Sequence, residues 1–330
     1  MTSRNSKLSA SLSLLLTIAL FACSVSNQPA VTETSSPSAE APTTEAAAPA
    51  VGDLQAVSLL GENLYAQVDT EGVIAEADAA LAAAPDDVEL LIAAGRARRN
   101  FWQYRGAIEL YTRAIALAPD DWRAYRFRGH RHISLREFDL AVPDLERARS
   151  LAPHNWDVAY HLGLAYFVSG RFDDAANEYL RCLAMSDDPD ANAAQSDDFR
   201  SCSQNADDPE SMVAMTEWAV RALLRADRNN DADRLIDGVA PDLAIETNVA
   251  YYNDMLFYKG LMSANELLDL DEDSPYRLET VGFGIANWML VNGQPESAIE
   301  IFEGIVADPW WPGFGRIAAE VELARMRGGA

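Results

Sequence analysis

Three histidines in this sequence are candidates for binding a metal ion, because imidazole is a common metal ligand. His130 and His132 are two residues apart, and His161 follows further along the chain. On one helix, residues i and i+2 point about 200 degrees apart, so both cannot bind the same ion. We therefore interpret the three as packing or surface histidines and expect no metal site.

Acidic and amide side chains also alternate along one segment, as at the start of a calcium-binding loop: Asp227, Asn229, Asp231 and Asp233. However, Ala232 stands where such a loop needs glycine, and Gly238 stands where it ends in glutamate. The segment is more simply interpreted as a turn between two helices.

Catalytic and cofactor motifs are absent from the sequence. It contains no Gly-x-Ser-x-Gly elbow, no His-Glu-x-x-His pair and no phosphate-binding Gly-Lys-Ser/Thr loop. Gly282 and Gly284 flank Phe283 without a preceding strand, so they do not predict dinucleotide binding. We expect no cofactor and no enzyme activity, although a hydrolase that uses Asp or Glu pairs stays open as an alternative.

The charge distribution is uneven. The chain carries a net charge of -25, and residues 186–280 contribute 22 acids against 7 bases. Nucleic acid is therefore excluded as an expected partner. Residues 88–140 reverse the sign, with ten arginines against six acids. Guanidinium groups bind carboxylates in bidentate fashion, so this segment could bind an acidic partner.

A 34-residue period indicates which elements position these arginines. It is marked by glycines (Gly61, Gly95, Gly129, Gly163), prolines (Pro85, Pro119, Pro153) and alanines (Ala107, Ala141, Ala175). Such a period predicts stacked helical hairpins. Glycine inside a helix costs about 1 kcal/mol relative to alanine, so these glycines predict that a neighbouring backbone approaches closely. The prolines end each second helix.

These markers resemble the tetratricopeptide repeat, a 34-residue helix-turn-helix with small residues at positions 8, 20 and 27 and proline at 32. Residues 88–121, 122–155 and 156–189 fit the pattern well, and residues 54–87 fit as a terminal repeat with Val73 at an alanine position. The resemblance implies an all-α fold: a right-handed superhelix, or α-solenoid, of about four clear repeats over residues 54–189.

The period weakens after residue 189. We expect an acidic loop over 190–209 and a degenerate helical region over 210–330. Within that region, residues 210–240 predict one degenerate hairpin and residues 279–310 resemble a further repeat. Apolar residues between Gly313 and Met326 recur at helical spacing and predict a capping helix that shields the last hairpin.

The family resemblance also implies a binding surface, because certain positions of each first helix face the concave side. They place nine residues in a groove for a protein or peptide with acidic groups: Arg96, Arg99, Asn100, Arg123, Arg126, Phe127, His130, Tyr160 and His161. The alternative is that these arginines pair with acids of adjacent repeats or of the acidic half of the chain.

Two further features allow two interpretations each. Cys182 and Cys202 form a disulfide, or else Cys182 fills a small buried site and Cys202 lies in the acidic loop. Trp310 and Trp311 stack on sugars, or else they fill the seam between hairpins.

The N-terminal residues predict where in the cell the protein is located. Arg4 and Lys7 precede an apolar run from Leu8 to Ala22, which is shorter than the roughly 20 residues of a membrane-spanning helix. The run and Cys23 resemble the lipoprotein box of bacteria, in which residues 1–22 are removed and Cys23 carries acyl chains. Ser24 then favours the outer membrane. An ordinary secreted protein is the alternative. Residues 23–53 predict a disordered tether.

We therefore expect a lipid-anchored tetratricopeptide-repeat protein of the cell envelope, which acts as an adaptor or assembly factor. The alternative is a lipoprotein that captures carbohydrate or another small ligand for uptake.

Overall fold

The 34-residue period sets where helices begin in the computed structural model, which describes residues 52–185, 200–203, 208–269 and 278–328. The first helices of three hairpins are α2 (Val88–Asn100), α4 (Trp122–Ser134) and α6 (Trp156–Val168). Their partners are α3 (Tyr104–Leu117), α5 (Phe138–Leu151) and α7 (Phe172–Ala184). Asp87, Asp121 and Asn155 each accept a backbone N–H bond at the start of a first helix, as N-capping predicts. The predicted all-α solenoid is confirmed.

The turn inside each hairpin is equally regular. Trp102, Arg136 and Gly170 lie 34 residues apart and have φ values of 57, 65 and 77 degrees, two residues before the second helix begins. Asp227 and Gly293 adopt the same conformation two residues before α9 (Asn229–Gly238) and α13 (Pro295–Val306). The segment that imitates a calcium loop is thus a helix-to-helix turn.

The C-terminal region continues as less regular hairpins. Helix α8 (Pro209–Arg225) packs against α9, and α10 (Val249–Tyr258) and α11 (Ala264–Asp269) follow. A π-helical turn, Leu278–Gly282, leads into α12 (Phe283–Val291), which packs against α13. The last helix, α14 (Phe314–Gly328), packs on α13 as the capping prediction requires, but it also contacts α6. The described residues all belong to one unit, Pro49–Ala330.

The interpretation of residues 54–87 as a complete repeat is wrong. An antiparallel pair of strands, β1 (Leu54–Val57) and β2 (Asn63–Tyr65), replaces the first helix, and α1 (Val73–Ala83) is the one helix of this unit. Gly61 lies in the hairpin turn at φ 86 degrees, a left-handed conformation that glycine adopts at little cost. Ala56 and Leu64 are buried with Tyr104 and Trp311, so the strands are held by one buried side.

The repeating glycines make room chiefly for side chains, whereas the sequence predicted the close approach of a neighbouring backbone. A Cβ atom on Gly95, Gly129 or Gly163 would lie closer than 3.0 Å to a side chain of the second helix, and only at Gly129 would a backbone atom, the oxygen of Ala141 at 3.2 Å, also be close. Those side chains are Tyr111, Leu145 and Tyr179, and all three are fully buried. The glycines therefore admit a large side chain between the two helices of one hairpin.

This arrangement makes a prediction for Gly163. Its replacement by alanine is expected to lower the free energy of unfolding by about 1–3 kcal/mol, because the rigid ring of Tyr179 has no space to move into. Gly304→Ala is the matched control, since no atom lies within 4 Å of a Cβ there and alanine favours the helix. Urea unfolding measures both variants. Equal effects would contradict the packing role.

A disulfide joins Cys182 in α7 to Cys202, with an S–S distance of 1.99 Å. Its neighbours fix the segment 200–203 against the start of α6: the backbone N–H of Cys202 donates to the carbonyl of His154 at 2.8 Å, and that of Trp156 donates to the carbonyl of Arg200 at 3.1 Å. The rest of the predicted acidic loop, residues 190–199 and 204–207, lies outside the described residues. So do the predicted signal, Cys23 and the tether up to residue 51.

Across the helices that the structure describes, none combines the length and the apolar character that a membrane crossing requires.

Candidate protein-binding groove

The nine predicted groove residues lie on α2, α4 and α6, and we call this surface the groove face. Exposure decreases along it from the N-terminal end. Arg96 and Asn100 on α2 are exposed, whereas Arg99, Arg123 and His130 are partly buried. The remaining four are buried: Arg126, Phe127, Tyr160 and His161. A partner can therefore reach the α2 end of the groove face more easily than the α6 end.

The two central arginines pair within the chain. Arg123 donates to Asp121 at 2.6 Å and to Glu89 of the preceding repeat at 2.9 Å, and these hydrogen bonds raise its pKa. Arg126 forms an ion pair with Asp157 of the following repeat and lies 3.3 Å from the ring of His161. Pairing with adjacent repeats, the alternative left open by the sequence, is thus present at both positions.

The histidines are packed side by side. The rings of His130 and His161 lie 4.3 Å apart, and both contact Phe314 at the start of α14. Burial lowers the pKa of His130 well below its usual value, and burial with the charge of Arg126 lowers the pKa of His161 to about 3. Both rings are therefore neutral near pH 7.

His132 points elsewhere and bonds Glu137 at 2.7 Å. Within the described residues, no group of three His, Cys, Asp or Glu side chains could hold a metal ion.

The C-terminal segment covers much of the groove face. Phe314 lies against the two histidines, and the hydroxyl of Tyr251 in α10 lies 3.3 Å from that of Tyr160. Trp311 is 4% exposed, with its ring edge-on to Trp102 and Tyr104, and its indole N–H donates to the carbonyl of Tyr65 at 2.9 Å. Trp311 thus fills a seam between elements and cannot stack on a sugar.

An open cleft remains at the N-terminal end of the groove face. It has a volume of about 270 Å³ and combines apolar walls with two guanidinium groups and one carboxylate: Glu89, Leu90, Ile92, Ala93, Arg96, Arg123 and Phe127. Sequence reasoning identified the last three of these. Glu89, Ile92 and Ala93 occupy the same concave positions of the repeat, so applying the position rule to every residue type would have found them.

Comparison with known proteins agrees with the repeat geometry. Residues 128–192 match the family model described as tetratricopeptide repeat. No curated protein sequence matches the chain.

Similar solved structures include MamA, which is 19% identical with a TM-score of 0.41 and covers 58% of this chain and 86% of that one. Another is YrrB, described as a TPR protein with an unusual peptide-binding site, at 12% identity, a TM-score of 0.40 and coverage of 77% and 98%. The TPR domain of P58(IPK) is 14% identical, with a TM-score of 0.20 and coverage of 77% and 93%. Likenesses this distant say nothing about what this chain binds.

The identification therefore rests on the matched repeat model and on helices that begin at the same positions of three consecutive 34-residue units. Residues 128–192 match the tetratricopeptide-repeat family, and the helical hairpins of residues 88–184 repeat with the 34-residue spacing of that family.

Proposed function

We propose that this protein binds another protein or peptide and acts as an adaptor or assembly factor in the bacterial cell envelope. The observation that carries the proposal is the cleft between α2 and α4, which stays open while the chain's own C-terminal segment covers much of the groove face. Apolar walls beside guanidinium groups suit a peptide better than a small polar metabolite.

The charge of the cleft favours a partner with carboxylates. Arg96 is exposed at its edge, whereas Arg123 lies within it and already donates to Asp121 and Glu89. Arg96 is therefore the guanidinium group to which a carboxylate of the partner would bind. Glu89 sits in the same cleft and repels a second carboxylate near it, so the acidic group of the partner should approach from the Arg96 side.

The proposal includes a lipid anchor at Cys23 and a place outside the cytoplasm. It is supported by the apolar run before Cys23, and Ser24 favours the outer membrane. The disulfide between Cys182 and Cys202 is consistent with a place outside the cytoplasm, because disulfides persist in oxidising compartments. The Pro-, Ser- and Thr-rich tether would hold the repeats roughly 30 Å from the membrane.

We propose no catalytic role. The alternative of carbohydrate capture has no support from Trp311, whose ring is enclosed by Trp102, Tyr104 and the strand β2.

Site-specific photo-crosslinking in intact cells tests the proposal. A photoreactive amino acid in place of Ala93, which is exposed and lines the cleft, is expected to capture one abundant envelope protein. The same amino acid in place of Ala116, which is exposed on α3 outside the cleft, should not capture it.

Two outcomes would refute the proposal. Capture of the same proteins from both positions would mean that the cleft has no special role, and capture of nothing from Ala93 would mean that it has no partner. The Cys23→Ser variant tests the lipid anchor, because a protein without the anchor should no longer be found in the membrane fraction.

A further inference from the structure

A second pocket, lined by different residues from those of the cleft, lies where α7, α8 and α9 meet. It has a volume of about 390 Å³. Sites for small molecules have volumes of about 300–1,000 Å³ and mostly apolar walls. The wall of this pocket is mainly aliphatic: Leu183, Met212, Val213, Leu235, Val239 and Leu243.

One side of the pocket is formed by a segment that the regular hairpins lack. Between a second helix and the next first helix, those hairpins have the short connections 118–121 and 152–155. The connection from α9 to α10 is much longer and comprises residues 239–248, which we call the strap. Val239, Ala240 and Leu243 of the strap line the pocket. The pocket is therefore a feature of this hairpin and not of the repeat.

Hydrogen bonds hold the strap near both of its ends. The hydroxyl of Tyr252 in α10 donates to the carbonyl of Ala240 at 3.1 Å and accepts from the backbone N–H of Leu243 at 3.2 Å. The carboxylate of Glu210 in α8 accepts from the backbone N–H of Asn248 at 2.7 Å. These polar groups of the strap are thus satisfied by α8 and α10, and its apolar side chains are left to line the pocket.

The pocket offers a ligand few polar partners, because Thr216 and Arg234 are the two polar side chains among its lining residues. A sugar or a peptide backbone would leave hydrogen-bonding groups unpaired against this wall, which is costly. A hydrocarbon chain has no such groups and gains affinity from each methylene that it removes from water. The wall therefore favours a hydrocarbon chain.

Arg234 adds a positive charge at the mouth of the pocket, since its side chain is 73% exposed. It pairs with Asp231, which also accepts from Arg228 at 2.8 Å. Because Arg228 keeps this carboxylate paired, Arg234 can turn towards an anion without leaving Asp231 alone. Residues 186–280 contain 22 acids and 7 bases, so a cation here is a local exception that favours an anionic head group.

We propose that this pocket binds a free long-chain carboxylic acid, with its hydrocarbon chain inside the aliphatic wall and its carboxylate on Arg234. The charge selects this source of acyl chain, because the acyl chains of a lipid anchor are uncharged esters or amides. The site is independent of the cleft and goes beyond the proposed function.

The first test is a series of straight-chain carboxylates, from butanoate to dodecanoate, titrated into the protein by calorimetry. The affinity is expected to increase about fourfold with each added methylene until the chain fills the pocket. Dodecanoate should bind at one saturable site. Non-saturable binding, or the same affinity for butanoate and dodecanoate, would overturn the proposal.

The wall is tested by Leu235→Gln, which places an amide in the pocket and should weaken the binding of dodecanoate about 30-fold or more. Leu117→Gln is the matched control, since Leu117 is 48% exposed at the end of α3. Circular dichroism checks that the variant is folded, and Met212→Gln replaces it if it is not. Unchanged affinity in a folded variant would refute the site.

The carboxylate contact is tested by Arg234→Met with two probes of equal chain length. This variant should bind dodecanoate about tenfold more weakly and dodecanol equally well, because only the acid carries a charge. Arg327→Met is the control, since Arg327 is another exposed arginine with an acidic partner, Glu303. Equal losses for the acid and the alcohol would contradict the role of Arg234.

Other occupants are outcomes of the same tests. A photoreactive amino acid in place of Met212 that captured a protein or a second copy of this chain, without competition from dodecanoate, would make the pocket a docking site and overturn the proposal. Binding of dodecanoate to Cys23→Ser but not to the acylated protein would mean that the chain's own anchor fills the pocket, which also overturns it. None of these results changes the expected crosslinks from Ala93.

Discussion

Replacing Arg221 with methionine is expected to lower the free energy of unfolding at neutral pH by about 3–5 kcal/mol. Arg221 lies in α8 and is 0% exposed, as are Glu217 and Asp254. Its guanidinium group donates to Glu217, to Asp254 at 2.9 Å and to the carbonyl of Thr280 at 2.9 Å. Methionine would fill most of the volume but leave two buried carboxylates without a cation.

The pH dependence identifies this cause. Burial raises the pKa of Glu217 to about 7 and that of Asp254 well above its usual value, even with Arg221 present. The folded chain therefore holds a proton that the unfolded chain releases. Stability falls as the pH rises from the unfolded value of Glu217, 4.5, towards about 7.

Without Arg221 both pKa values rise further, so the loss in Arg221→Met should be larger at about pH 8 than at about pH 5. Urea unfolding at the two pH values measures the difference.

Arg228→Met is the control for this prediction. Arg228 pairs with Asp231 at 2.8 Å, but both side chains are over a quarter exposed, at 28% and 27%. Such pairs contribute about 0–1 kcal/mol, so this variant should lose little stability. If Arg221→Met lost no more than Arg228→Met, or lost the same amount at both pH values, the buried carboxylates would not be the cause.

Local signals made the repeats predictable from the sequence. Helix-ending prolines such as Pro119 and small residues such as Ala141 each act within one hairpin, so their 34-residue spacing can be read directly from the sequence. The strands β1 and β2 are also local, but Gly61 falls in the phase of the repeat and obscured them. Gly61 serves a left-handed turn between the strands, so its position 34 residues before Gly95 is a coincidence.

The covering of the groove face could not be predicted, because it depends on contacts between distant parts of the chain. Phe314 reaches His130 and His161, and Arg136 reaches Glu320, which is 184 residues away. A repeat pattern specifies how each hairpin packs on the next, but it does not specify where a later helix returns. For the same reason, the sequence placed Arg126 and His161 on an open surface, although they are buried.

Glu320→Gln is the second substitution with a large expected effect, about 3–5 kcal/mol of lost stability. Glu320 in α14 accepts from Arg136 at 2.7 Å and from the backbone N–H of Leu59, beside β1, at 2.6 Å. The side chains of Arg136 and Glu320 are 2% and 1% exposed. The amide of glutamine cannot neutralise Arg136, so a buried cation would remain, and α14 would bind less tightly to the hairpin turn and to the strands.

Hydrogen exchange shows where this stability is lost. Relative to the unsubstituted protein, the exchange rate should increase most in β1, β2 and α14 and should be nearly unchanged in α2 and α3. Glu303→Gln is the matched control, since its pair with Arg327 is 52% and 56% exposed and should contribute less than about 1 kcal/mol. The double variant Arg136→Met with Glu320→Met removes both charges and should recover most of the stability. A double variant as unstable as Glu320→Gln would show that packing around α14, and not the unpaired charge of Arg136, holds the C-terminal helix on the repeats.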